Sequence, residues 1–491
     1  HRSLGRPRCI VTPGEAEATR FAADLNTLGV AAAVFPARDY LLRPIEGANR
    51  EYEYRRLAVL GDLAGGRLTA VCVPSEGLTQ FTTPRADFLA NTRTLHPGDL
   101  LTREEITALL LGAGYVRRDR VEGPGQFSIR GDILDLFAPD MDKPARLEFW
   151  GDEIDTMHSF DLSTQRRDEP LTKIHVSPAR EVLFGAPEEA AAALRGYLKK
   201  QRGKKRAAME AVMAPDLAQL DAGLLPPSMD KYLAVRYPAP ATLLDHLDDP
   251  LLLIEEPASI READRATAYR RNEELRGLFE DGALCAGLDK LYAEPGWLHA
   301  QAGRCRTVLA ENFARSLPDQ PLKELINATA HSLPAWGGEV SALVDDLRPM
   351  IGRGLCVTVL AGTERAAAGL AQDLRAKGFA VTTDPSAPAA KGQVQVLPGH
   401  LSAGCELPFA NYAVLSARAF GQSSAQKRKP KRMKDALNSL TDITPGDLVV
   451  HQNHGIGRYA GIQRMEVQGV TKDYLRIEYD KKDVLYVPVT Q

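Results

Sequence analysis

From residue 447 to 491 short apolar runs are cut at close intervals by turn residues, and a stretch patterned in this way favours strand pairing over helix. Residues 447–451 read as a strand, His454-Gly455-Ile456-Gly457 as the permissive backbone of a tight turn, and 458–467 as a second run. Gly469 breaks the pattern, residues 474–479 alternate apolar with polar, 480–483 form a turn, and 484–489 a further strand. Short strands joined by tight turns predict a small twisted barrel.

The amino-terminal pattern is different. Cys9-Ile10-Val11 is a short apolar strand, Thr12-Pro13 leads into a helix marked by Ala16, Phe21, Ala22, Leu25 and Leu28, and Gly29 ends it. A buried strand over 30–35, a helix over 51–63 and a strand over 69–73 complete an α/β pattern, which implies a parallel sheet. Such a sheet is where nucleotide binds, yet GxxxxGK[ST] occurs nowhere in the chain. Gly203-Lys204-Lys205 has the wrong spacing and no hydroxyl for magnesium. The acidic run Asp152-Glu153-Ile154-Asp155 has no phosphate loop to serve, so it reads as a solvated strand end or turn.

After the break at Pro97-Gly98-Asp99, residues 102–114 read as a helix opened by a capping box of Thr102 and Glu105. Residues 115–137 and 145–160 are β-rich, with Gly123, Gly125 and Gly131 at turns or bulges. Residues 188–213 form a helical, Ala-rich stretch whose basic run, 199–206, is a solvated helix face or a connecting loop, with a phosphate-binding patch as the alternative. An apolar strand over 251–254, followed by Glu255-Glu256-Pro257, indicates that the first α/β domain resumes. A second α/β unit starts near Leu325, with helices over 341–351 and 363–377 and strands over 355–360, 394–397 and 412–415. Residues 422–434 are polar and basic and read as a flexible linker.

The 491 residues suggest about three or four domains. With 44% hydrophobic and 25% charged residues the chain is globular, and no apolar run reaches the roughly eighteen residues needed to cross a membrane. A net charge of −3 argues against wholesale nucleic-acid binding, so contact with polyanions should be confined to local basic patches. Cys9, Cys72, Cys285, Cys305, Cys356 and Cys405 are scattered singly, the pattern of reduced thiols in a cytoplasmic protein and not of a zinc site. Both ends read as cut.

Two stretches carry a family resemblance. GDLVVHQNHGIGRYAGIQRMEVQGVTKDYLRIEYDKKDVLYVPV resembles the RNA-polymerase-interacting module of bacterial transcription-repair coupling factors, related to the CarD regulators. VEGPGQFSIRGDILDLFAPDMDKPARLEFWGDEIDTMHSFD resembles the module those factors share with the excision-repair helicase UvrB, which docks on the ATPase UvrA. The resemblance runs along essentially the whole chain. It implies an α/β multidomain protein: a degenerate helicase-like parallel-sheet domain (1–96 and 183–324), an inserted UvrB-like β-rich module (97–182), a small α/β domain (325–421), a basic linker (422–444) and a carboxy-terminal SH3/Tudor-like barrel (445–491).

The implied function is that of an adaptor joining the β subunit of stalled RNA polymerase to UvrA, monomeric and cytoplasmic, with no membrane contact. Neither cofactor nor metal is expected in this chain. ATP, magnesium and most DNA contact would belong to a motor that follows, and the UvrA-docking face, covered by a later domain in the family, would be open here. By position in the family motifs, Arg130, Arg146 and Trp150 would contact UvrA, with Trp150 standing where the family usually has Phe. Ile462, Met465 and Val467 would contact polymerase, Met465 in place of a family Leu. Two guanidiniums beside an aromatic make a plausible interface. The plainer alternative is that Arg130 and Arg146 pair with Asp132, Asp135 or Glu148 and that Trp150 is core. Ile462, Met465 and Val467 cannot all face one side of an alternating strand, so a bulge, or one of them turned into the barrel, must be assumed. A UvrB-type helicase fragment, a free-standing CarD-type regulator and a metabolic α/β enzyme are the competing readings. The missing phosphate loop opposes the first, four hundred unexplained residues the second, and the lack of any catalytic grouping the third.

Overall fold

The computed structural model describes residues 6–43, 50–313, 322–336, 339–417, 446–451, 455–467, 470–479 and 484–488, so the linker expected over 422–444 lies outside the described residues. The chain divides into two compact units, 1–421 and 422–491.

The first unit is built on a five-stranded parallel sheet in the order Arg306–Ala310, Leu251–Glu255, Arg8–Thr12, Ala70–Pro74, Ala32–Val34. Arg8–Thr12 and Ala70–Pro74 are buried almost throughout, which explains their unbroken apolar sequences. Their side chains alternate between two cores. Cys9, Val11, Val71 and Val73 pack with Leu57 and Leu60 of the helix Glu51–Ala64, while Ile10, Ala70 and Cys72 pack with Ala18 and Ala22 of the helix Glu15–Thr27. Strand Leu251–Glu255, more than 230 residues after Arg8–Thr12, pairs beside it, so the sheet resumes as the sequence indicates.

Between the two parts of this sheet a β-rich module is inserted, its neck closed by antiparallel pairing of Arg93–Leu95 with Ile174–Val176. The capping box on the helix Arg103–Gly112 forms as expected: Thr102 Oγ1 accepts from Glu105 N at 3.2 Å and Glu105 Oε2 accepts from Thr102 N at 2.9 Å. The single helical stretch expected over 188–213 is two helices, Pro187–Lys199 and Gly203–Asp221, because the basic run interrupts it and Gly203 adopts a positive φ. The second α/β sheet has four parallel strands, Ala380–Thr382, Gln393–Leu397, Cys356–Leu360 and Tyr412–Ser416, extended by the antiparallel edge strands Gly404–Leu407 and His331–Leu333. It meets the first sheet through Asp24, which accepts from Ser402 N at 2.7 Å, and Thr27, which donates to His400 O at 2.8 Å.

Where the chain returns from the inserted module it enters a buried ionic cluster. Glu181 accepts from Arg38 Nε at 3.1 Å and Arg56 Nε at 2.5 Å, and its own backbone N–H donates to Glu53 Oε1 at 3.0 Å. Arg38 also forks onto both Asp230 oxygens at 2.8 and 3.2 Å. Arg56 reaches the Pro36 and Gly77 carbonyls, and a Cβ on Gly77 would sit 3.0 Å from the backbone of Pro36 and Ala37, so a larger residue there would push that backbone aside. Burial alone would raise the Glu53 carboxyl, but Arg38, Arg180 and Arg50 outweigh it and hold the group down at about 2.

The unit of 422–491 shows a four-stranded antiparallel meander, Leu448–His451, Gly455–Val467, Val470–Glu478, Val484–Pro488, around Val449, Tyr459 and Ile477. Among the described residues no ladder closes it into a barrel. Gly455-Ile456-Gly457, expected as a turn, belongs to a strand: Gly457 pairs with Val449, and a Cβ there would meet Ile477 Cγ2 at 2.5 Å. Glycine serves close packing at this position.

Removing one partner of a fully buried ion cluster strands the others, so Glu181→Ala should cost about 3–5 kcal/mol in chemical denaturation. By contrast Glu280→Ala, which breaks the exposed Arg276–Glu280 pair, should cost under about 1 kcal/mol. Equal effects would refute the structural role of Glu181.

Candidate docking surfaces

The inserted module carries a six-stranded sheet in the order Arg167–Pro170, Glu153–Phe160, Ala145–Trp150, Ile133–Phe137, Gln126–Arg130, Val116–Arg117. Strand alternation sorts its residues. Ala145, Leu147, Phe149, Leu134, Leu136 and Phe127 point into the module core, which leaves Arg146, Glu148, Trp150, Asp135 and Arg130 on the outer face. The register places Ser128, Asp135, Arg146 and His158 in one cross-strand row and Arg130, Ile133, Glu148 and Thr156 in the next.

Asp135 is nearly inaccessible and serves both arginines at once. It accepts from Arg146 Nε at 2.6 Å and Nη2 at 2.9 Å, and from Arg130 Nη2 at 2.7 Å. The Arg146 guanidinium lies 4.8 Å above the Phe160 ring, donates to the Gln165 carbonyl at 3.3 Å, and is held firmly charged by its hydrogen bonds to Asp135. Arg146 is therefore largely enclosed, its side chain 13% exposed, whereas that of Arg130 is 50% exposed. Trp150 is 82% exposed. The two alternatives for these residues thus divide: both arginines do pair with Asp135, and Trp150 is surface and not core. Sequence reasoning did not point to Leu100. It bridges to Glu153 on the edge opposite Trp150, so Trp150, Glu153 and Leu100 stand in one row, with Leu100 78% exposed.

In the meander, the expected polymerase-contact positions lie on Gly455–Val467, paired as Ile462↔Leu475, Met465↔Lys472 and Val467↔Val470. The ladder does shift register, between Tyr459 and Gly461, where Gly461 has φ +110°. That bulge precedes all three positions and does not gather them: from Gly461 to Val467 the ladder is regular, so Met465 and Val467 share one parity and Ile462 the other. Among the described residues this half of the strand pairs only with Val470–Glu478, which leaves it an open edge.

The place where a parallel sheet would cradle phosphate is occupied differently. After the central strand Arg8–Thr12 the helix Glu15–Thr27 begins at Gly14, and its first turn carries Glu15 and Glu17, whose charge repels an anion. Asp152 and Glu153 lie at an exposed hairpin turn. Glu256 takes a left-handed φ of +46° and accepts from Asn312 N at 2.8 Å, and burial raises the Glu255 carboxyl.

The UvrB interaction domain matches residues 94–182, the inserted module, and the CarD-like/TRCF RID domain matches 443–491, the meander. Along nearly the whole chain the matching proteins are transcription-repair-coupling factors: that of Bacillus subtilis is 28% identical over 503 positions, covering 99% of this chain. This chain is a relative of those coupling factors. Those of Staphylococcus haemolyticus and Staphylococcus aureus strain MRSA252 are each 25% identical over 475 positions and cover 93% of it. The coupling-factor relative described here spans 40–42% of their length.

The two arginines of this coupling-factor relative should separate in a denaturation series. Asp135→Ala, which leaves both guanidiniums without their carboxylate, should cost about 3–5 kcal/mol, and Arg130→Ala under about 1 kcal/mol. An Arg130→Ala cost matching that of Asp135→Ala would mean that Arg130 is no freer to meet a partner than Arg146.

Proposed function

We propose that this chain is an adaptor that holds the β subunit of RNA polymerase through residues 445–491 and UvrA through the outer face of the inserted sheet. The observation that carries this reading is the presence in one chain of two domains of docking type, one with a half-free arginine and an exposed tryptophan on its outer face. Arg130 and Trp150 would supply direct contacts, and Arg146, fixed by Asp135, would complete the charged row. The open edge over 461–467 would add to a sheet on polymerase, with Met465 as an apolar contact. Closure of the meander into an SH3/Tudor-like barrel, a monomeric state, a cytoplasmic setting and DNA engagement mainly through a separate motor belong to the same proposal. Among the described residues no helix is long and apolar enough to cross a membrane.

Two pulldowns test it with the chain as it stands. Met465→Arg should abolish capture of polymerase β subunit and leave UvrA capture intact. Trp150→Ala should weaken UvrA capture about tenfold or more, as expected for an interface anchor worth about 1.4 kcal/mol or more, with polymerase capture unchanged. Retention of both partners by both variants would refute the adaptor assignment to these faces.

We also propose that the chain does not itself turn over ATP. The absent GxxxxGK[ST] and the acids Glu15 and Glu17 at the helix start support this. Calorimetry with magnesium and ATP should give no binding heat; stoichiometric binding lost on changing a single lysine would overturn it.

A further inference from the structure

The helices Pro187–Lys199 and Gly203–Asp221 form a hairpin, their apolar sides sharing one cluster through Ala190, Leu194 and Leu198 on the first and Met209, Val212 and Leu220 on the second. Its tip, residues 199–206, carries six cations in eight positions: Lys199, Lys200, Arg202, Lys204, Lys205 and Arg206. All six are exposed, and none forms an ion pair among the described residues. Pairing is nevertheless available nearby, since Arg195, four residues before Lys199, binds Asp221 at 2.6 Å, and Lys231 binds Asp216 at 2.6 Å. The tip is therefore a local concentration of like charge on a chain whose net charge is −3. Lys204, Lys205 and Arg206 also occupy the first turn of a helix with no acid there, the end at which cations are disfavoured. Mutual repulsion of this kind weakens the free protein and is relieved when an external polyanion supplies the missing charge.

The neighbourhood selects the kind of polyanion. A protein partner is normally gripped by aromatic or large aliphatic anchors, and the exposed residues that continue the tip, Ala207 and Ala208, offer none. Single-stranded nucleic acid is held by stacking on aromatic rings, and no aromatic residue occurs from 198 to 208. What remains is an exposed tip whose only charges are cationic, suited to the phosphate backbone of a duplex, whose charge density is about one per 1.7 Å. We propose that the hairpin tip formed by residues 199–206 docks on the backbone of double-stranded DNA, independently of sequence. This contact is separate from the polymerase and UvrA surfaces and stands whether or not those assignments hold.

The test uses the whole chain and a fluorescein-labelled DNA duplex of about 30 base pairs, titrated by anisotropy between about 50 and 200 mM salt. Changing all six tip cations to Gln should weaken binding at least tenfold and reduce the slope of log K against log salt by about four or more, roughly one for each phosphate no longer neutralised. A control with six other exposed cations changed to Gln (Arg20, Arg261, Arg265, Lys290, Lys377 and Lys391) should keep at least half the wild-type affinity. Circular dichroism melts should show the tip variant folded and at least as stable as the wild type, since every altered side chain is at the surface and the change relieves like-charge repulsion. The proposal is overturned if the wild type fails to bind duplex at low salt, if the tip variant binds as the wild type does, if the control weakens as much as the tip variant, or if polyglutamate of equal charge displaces the duplex as well as unlabelled duplex does.

Discussion

Glu181 ties together parts of the chain that lie far apart in sequence. Its carboxylate bonds Arg38, just beyond the Ala32–Val34 strand, and Arg56 on the helix Glu51–Ala64, while its backbone meets Glu53, Thr83 and Tyr237. Arg38 then extends the cluster to Asp230. The parallel sheet, the returning end of the inserted module and the helical segment after it are thus joined by a handful of charges sealed from water. A cluster of this type adds modest net stability when complete, because desolvation offsets most of the attraction, but it is severely destabilising when one member is removed. Loss of any one member would leave the others unpaired at the point where the three segments meet.

The outer face of the inserted sheet shows the same chemistry in a different setting. Asp135 is as buried as Glu181, yet one of its two arginines is half open to solvent. A shared carboxylate orients both guanidiniums without neutralising either fully, and Arg130 keeps donors free for a partner while Arg146 is spent on Asp135, Gln165 and the Phe160 ring. The exposed row of Trp150, Glu153 and Leu100 supplies the apolar area that the arginines lack. Where the hairpin tip presents charge with no apolar company, this face presents both, and the two surfaces suit different partners for that reason.

Much of the architecture is legible in the sequence because local pattern and tertiary demand coincide. Cys9-Ile10-Val11 and residues 70–73 are continuous apolar runs since both faces of their strands are covered, and the Thr102–Glu105 capping box closes within four residues. Alternation over 145–150 puts Arg146, Glu148 and Trp150 on one face of the strand, but that Trp150 is surface and not core is decided by the fold. What the sequence leaves open depends on contacts between residues far apart. Gly455 and Gly457 look like turn residues, but the close approach of Ile477, twenty positions on from Gly457, makes the glycine a packing requirement of a strand. Leu100 gains its place beside Trp150 only through a bridge to Glu153, and the sharing of Asp135 by two arginines follows from a register across three strands. Glu181 sits in a stretch with no motif of its own, and its role rests on partners 125 to 143 positions away. Periodicity along a chain reports which face of an element is buried; which charges meet once faces are buried is a property of the tertiary fold alone.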